Sequence, residues 1–212
     1  MKKMTLRILV AVLLFFSFLL QGCASYKPLV KKDFASLAPL TVVYYADDVR
    51  VKSWLRWIAP ASVGVGIAED IHEKSLQKTI ASGIRPGFSA LVMKKFVDRV
   101  CKETTNCPAM AFEEKPVTRS YIRKFKSGNL MIFACQVVLY TGNTYFISGI
   151  KARIQDSEGN VLWAKGLKYD SKDYGRKFTF NKYISDDFKL LKEEIDFAAD
   201  IIVSDFIQSL LK

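Results

Sequence analysis

The chain has 212 residues, of which half are hydrophobic, and its 32 basic and 21 acidic side chains give a formal net charge of +11. This length suits one domain of ordinary size, which buries enough surface to fold without cross-links. The positive charge favours encounter with anionic surfaces. No nucleic-acid-binding motif accompanies it, so DNA and RNA are excluded as expected partners.

The first 22 residues predict an export signal. Three basic residues precede an apolar run at residues 8–20, and the small residue Gly22 lies directly before Cys23. This order is typical of a signal peptide that is removed from the mature protein. A membrane-spanning helix is the alternative, but it needs about 20 apolar residues. Removal of residues 1–22 lowers the formal charge from +11 to +8, because Lys2, Lys3 and Arg7 are lost.

The end of this signal, Leu20-Gln21-Gly22-Cys23, resembles the lipobox of bacterial lipoproteins. The resemblance implies cleavage before Cys23 and attachment of a diacylglycerol and further acyl chains there. Several chains anchor a protein stably, whereas one binds a bilayer only reversibly. Ala24 in place of Asp implies the outer membrane of a Gram-negative envelope, facing the periplasm. Beyond this covalent lipid we expect no cofactor and no bound metal.

We divide the chain into the signal peptide (1–22), an acylated tether (23–39) and one domain (40–212). The tether carries lysines among small and apolar residues. Near an anionic bilayer each lysine adds about 1 kcal/mol of attraction. The bilayer is therefore one expected partner, alongside an envelope protein or an anionic envelope polymer.

The first half of the domain predicts strands followed by helices. Hydrophobic patterns predict a strand at 40–45, a strand or docked loop at 49–57, a flexible apolar loop at 59–66, and helices at 67–82 and 88–101. Trp54 and Trp57 flank the apolar loop. They serve either as core anchors or as a membrane-facing edge, since tryptophan suits both settings.

The second half predicts a short strand at 108–112, a basic amphipathic helix at 117–126 and a three-stranded antiparallel meander at 130–140, 145–155 and 161–169. Trp163 is expected in the core. A last helix, capped by Ser185, should pack along the sheet. The predicted fold class is α+β: a mixed sheet containing the meander, covered by the helical region and the C-terminal helix.

Residues 170–183 are polar, basic and aromatic, and we expect an exposed excursion there. Tyr174, Arg176 and Lys177 make it a candidate partner surface, because Tyr and Arg are favoured at interfaces. Cys101 and Cys107 are expected to form a disulfide in an oxidising envelope, with metal binding as the rival. Cys135 lies in an apolar run and is expected to be a buried thiol.

The order of elements is similar to the amino-terminal domain of TolB and to lipoproteins that activate penicillin-binding proteins. No residue motif is shared, so no functional residues carry over. The leading hypothesis is a tethered, non-catalytic binding or assembly protein of the envelope. One alternative is an accessory subunit of a lipid-transport or secretion machine. The other is a cell-wall or lipid hydrolase using acids among Asp47, Asp48, Glu113 and Glu114.

Overall fold

The computed structural model of the protein describes residues 34–52, 63–103, 107–141 and 146–210. The strands are β1 (Leu40–Tyr44), β2 (Asp48–Lys52), β3 (Met110–Phe112), β4 (Asn129–Tyr140), β5 (Phe146–Gln155) and β6 (Val161–Asp170). The helices are α1 (Val63–Gly83), α2 (Phe88–Glu103), α3 (Arg119–Lys124), α4 (Phe180–Ile184) and α5 (Lys189–Leu210). Two 3-10 turns, Ser171–Tyr174 and Asp186–Phe188, flank α4.

The strands form one mixed sheet in the order β3-β1-β4-β5-β6. Strands β1 and β2 run parallel to β4, one after the other along the same side of it. Strands β4, β5 and β6 follow one another antiparallel, which confirms the predicted meander. The α+β fold class predicted from the sequence is therefore confirmed.

One side of the sheet, the core face, is covered by α2 and α5. Every second side chain of β5 points to this face, as the two-residue period of a strand requires. These buried side chains are Phe146, Ser148, Ile150, Ala152 and Ile154. Trp163 on β6 is only 2% exposed, and its ring lies 6.0 Å from that of Phe206 on α5. The expected core role of Trp163 is therefore confirmed.

The predicted loop at 59–66 is partly wrong, because α1 already begins at Val63. The two glycines in that stretch weaken a helix only by about 1 kcal/mol each, which a longer helix overcomes. The second strand is present as β2, but it ends at Lys52. Residues 53–62, which include Trp54 and Trp57, lie outside the described residues.

The start of the last helix also differs from the prediction. Helix α5 begins at Lys189, and the Ser185 side chain makes no capping hydrogen bond. Asp186, Asp187 and Phe188 instead have positive φ values of 52°, 51° and 59°. The ring of Phe188 packs directly over Gly83 at the end of α1, where a Cβ atom would collide with it. This long-range contact outweighs the local capping signal.

Candidate functional site

The candidate residues divide between described and undescribed parts of the chain. Cys23, Trp54 and Trp57 lie outside the described residues. Cys101 and Cys107 are joined by a disulfide that links the end of α2 to the segment before β3. Cys135 is buried, and burial raises the pKa of its thiol well above the usual value. A thiol held protonated in this way is a poor nucleophile.

The expectation that residues 170–183 form an exposed excursion is only partly right, because most of these residues are exposed but some of the aromatic ones are not. Tyr169, Phe180 and Tyr183 are buried in the main core. Tyr174 remains 45% exposed, yet its ring stacks on that of Tyr169 at 5.0 Å. The aromatic residues of the segment, which the sequence suggested as a partner surface, instead make contacts within the fold.

Glu194 on α5 explains why residues 170–183 pack against this helix. Its carboxylate is fully buried and accepts hydrogen bonds from the Tyr169 hydroxyl (2.5 Å) and from Arg176 Nε (2.6 Å). Burial, and then the neighbouring Glu194, raise the pKa of Tyr169. The Arg176 guanidinium also lies 4.8 Å from the Phe197 ring centre. Arg176 therefore has a structural role within the fold, whereas Tyr174 and Lys177 are exposed.

Three of the four acids considered for hydrolysis have side-chain partners, and each has a different one. At the break between β1 and β2, Asp47 accepts hydrogen bonds from the backbone N–H (2.7 Å) and the hydroxyl of Ser89 at the start of α2. Burial raises the pKa of Asp47 in spite of these bonds. Asp48 pairs with Arg50 at 2.7 Å, and Glu113 accepts from the Tyr121 hydroxyl at 2.8 Å. Glu114 is exposed.

A concave feature lies on the other side of the sheet, the outer face. Helix α3 packs there, because Ile122 is buried against Val43, Leu130 and Ile132. The Thr118 hydroxyl caps this helix by accepting from the Tyr121 N–H at 3.2 Å. Helix α3 covers β1 and the start of β4, and it leaves a groove of about 960 Å³ beside it over β4, β5 and β6.

We call this feature the basic groove, and five cationic residues line it: Arg119 and Arg123 of α3, Lys151 and Arg153 of the outer face, and Lys165, which pairs in the strand register with the core residue Ala152. The other lining residues are Tyr45, Ile122, Ile132, Ala134, Ala152, Ala164 and Gly166. No acidic residue is among them. None of the ion pairs within the described part of the chain involves the five cations.

The strand register explains how the cations are spaced on the floor of the groove. Arg153 lies opposite Ile132 on one side and Ala164 on the other, and Lys151 lies between Ala134 and Gly166. Three of these four neighbours are small, so space remains beside each long basic side chain. Nε of Arg153 is buried and has no hydrogen-bond partner among the described residues. The groove therefore combines an unneutralised positive charge with an open, largely apolar floor.

Part of this groove could be predicted from the sequence. The alternation of β5 places Lys151 and Arg153 on the face opposite the core, and the helix at 117–126 was predicted to be basic and amphipathic. The docking of α3 on that same outer face was not predicted. It depends on contacts between Ile122 and strands that are distant in sequence, which periodicity does not reveal.

No three His, Cys, Asp or Glu side chains come together as metal ligands in the described ranges. No helix in these ranges is both long enough and apolar enough to cross a membrane.

No protein-family model matches the sequence, and no curated protein matches it significantly. The chain is similar to a homolog of the neuraminyllactose-binding hemagglutinin from Helicobacter pylori, with 10% identity, 90% of this chain and 89% of that chain covered, and a TM-score of 0.33. It is also similar to lipoprotein GNA1162 from Neisseria meningitidis, with 10% identity, 81% and 100% coverage, and a TM-score of 0.29. A hypothetical protein from Chlamydia trachomatis gives 10% identity, 82% and 98% coverage, and a TM-score of 0.34. At these values the likenesses establish nothing about function.

Proposed function

We propose that this chain is an envelope lipoprotein, anchored through Cys23, that binds an anionic envelope component in the basic groove and catalyses no reaction. The anchor is supported by the export signal and the lipobox at residues 20–23. Ala24 favours the outer membrane, facing the periplasm. The observation that carries the binding role is a groove lined by five cations and no acid.

The cations of the basic groove have no acidic residue beside them in its lining. Like charges that are held close together repel one another and raise the free energy of the folded state. Some basic side chains elsewhere in the described structure are neutralised by nearby carboxylates, as Lys95 is by Asp196 and Asp200 at 2.8 Å. The groove lacks such partners, so an anion from outside the fold would supply the missing negative charge. Arginine suits this role because its planar fork binds carboxylates and phosphates bidentately.

A binding role is favoured over hydrolysis by the engagement of the candidate acids. Glycoside hydrolysis uses two carboxyl groups that face each other across the scissile bond. Asp47 is occupied by the first turn of α2, and Asp48 is neutralised by Arg50. Glu113 bonds to Tyr121. Because these acids have separate structural roles, we propose a non-catalytic protein.

Titration of the purified full-length chain with pyrophosphate tests the proposed site. Replacing Arg119 and Arg123 by Gln is expected to weaken binding about tenfold or more, since each lost charge-assisted contact contributes on the order of 1 kcal/mol. Isothermal titration calorimetry at about 0.15 M ionic strength, where the Debye length is about 8 Å, measures this change. Both side chains are exposed on α3, so the double variant should fold normally.

The matched control is the double variant Arg85→Gln, Lys189→Gln, which removes the same net charge at exposed positions outside the groove. We expect less than about a twofold change, because exposed charges farther than a Debye length are largely screened. Equal weakening by both double variants would mean that only overall charge matters. No weakening by either would remove the groove from the proposed function.

A further inference from the structure

The chemistry of the groove narrows the class of its ligand. Arg153 and Lys151 lie two residues apart on the outer face of β5, and Arg119 and Arg123 lie one helical turn apart on α3. A single carboxylate would balance one of these charges. A phosphate ester carries up to two charges and several strong acceptor oxygens. The Arg153 guanidinium lines the groove and forms none of the ion pairs found among the described residues, so it suits these oxygens.

The floor of the groove indicates that the ligand also has an apolar part. Ala134, Ala164 and Gly166 occupy positions where larger side chains would fill the space between the cations. A Cβ atom added at Gly166 would come no nearer than 3.9 Å to any other group, and one added at Gly149 would meet nothing within 4 Å. The outer face of β5 and β6 is therefore uncovered by other described elements. Apolar surface of this kind gains free energy when it is covered.

We propose that the basic groove binds a phosphate-bearing amphiphile, such as a lipid with a phosphomonoester headgroup, with the phosphate on Arg153 and its neighbouring cations. The apolar part of the ligand lies along Ala134, Ala164 and Gly166. This inference rests on the proposed function and specifies its ligand class. An acyl chain suits the floor because it has no hydrogen-bonding groups to satisfy.

An acidic peptide fits the same surface less well. The backbone groups of a sheet form hydrogen bonds within the plane of the sheet, so a peptide lying on its face finds no backbone partners there. Its own N–H and C=O groups would need other partners or would lose free energy on burial. Binding of an acidic peptide in preference to an alkyl phosphate would therefore contradict the proposal.

The test compares inorganic phosphate, hexyl phosphate and hexanol as ligands for the full-length chain in maltoside micelles. We expect hexyl phosphate to bind at least about tenfold more tightly than inorganic phosphate, because covering several methylenes adds to the phosphate contact. Hexanol should bind weakly. Arg153→Gln should weaken both phosphates about tenfold or more, whereas Arg85→Gln, an exposed arginine outside the groove, should change neither by more than about twofold.

Gly166→Leu separates this inference from the proposed function. It keeps all five cations and fills the apolar floor, so hexyl phosphate should lose its advantage while inorganic phosphate binds as before. Ala164→Leu serves as the second variant if the melting temperature of the first is lowered. Equal affinities of the wild type for the two phosphates would contradict the proposal of an amphiphilic ligand. So would unchanged binding of hexyl phosphate by both the Gly166→Leu and the Ala164→Leu variants. Either result would leave the proposed anion binding intact. If the Arg153→Gln variant binds both phosphates as tightly as the wild type, the groove is excluded as the binding site.

Discussion

Ile202→Asp is expected to unfold the domain. Ile202 lies on α5, is 1% exposed and belongs to the main core, where the neighbouring Phe206 ring contacts those of Phe133 and Trp163. An aspartate there would bury a charge without a partner, at a cost of several kcal/mol. Because domains of this size are stable by only about 5–15 kcal/mol, that cost removes most of the stability. Thermal and urea unfolding followed by circular dichroism measure the loss.

Two controls separate the charge from other effects. Ile202→Ala should cost about 2–5 kcal/mol through the cavity it leaves. Gln208→Asp places the same charge at an exposed position of the same helix and should cost about 1 kcal/mol or less. If the Ile202→Asp variant has the same melting temperature as the Gln208→Asp control, α5 does not pack on the sheet as described.

Arg176→Met is expected to destabilise the fold by about 3–5 kcal/mol, because it leaves the fully buried Glu194 carboxylate without its cation. Glu194→Leu should cost less, about 1–3 kcal/mol. The Arg176 side chain is 29% exposed and can be hydrated when its partner is lost, so the main cost is the unpaired hydroxyl of Tyr169. Urea unfolding of each variant gives these values.

The double variant Arg176→Met, Glu194→Leu is the diagnostic one. Since the buried charge is removed together with its partner, the double variant should be more stable than Arg176→Met alone. Lys177→Met removes an exposed cation from the neighbouring position and should change stability by no more than about 0.5 kcal/mol. Additive effects of the two single changes would mean that the ion pair does not hold residues 171–184 against α5.

Local patterns in the sequence predict the elements that obey a simple period. The alternation in β5 identifies the core side chains from Phe146 to Ile154, and the three- and four-residue steps of α5 identify Leu191, Ile195 and Ile202 as buried. Both patterns follow from the geometry of strands and helices. The meander and the fold class could therefore be read before the structure.

Features that depend on distant contacts could not be read in this way. The start of α5 is set by Phe188 packing on Gly83, which no capping rule anticipates. Burial of the Tyr169 hydroxyl depends on a single acid, Glu194, and an acidic side chain gives no sign in the sequence that it is buried. For the candidate site, the basic residues of α3 and β5 were recognisable separately. Their convergence required knowing that Ile122 docks beside Ile132.

The proposed role requires that the folded domain be held at a bilayer, and the chemistry of Cys23 tests this most directly. Mass spectrometry of the full-length gene product, expressed in a bacterial host and extracted from membranes, determines its amino terminus and modification. The account predicts a chain that begins at Cys23 and carries a diacylglycerol on the sulfur, with an additional acyl chain on the amino group in a Gram-negative host. An unmodified thiol at Cys23, in a product that fractionates with the cytosol, would contradict it.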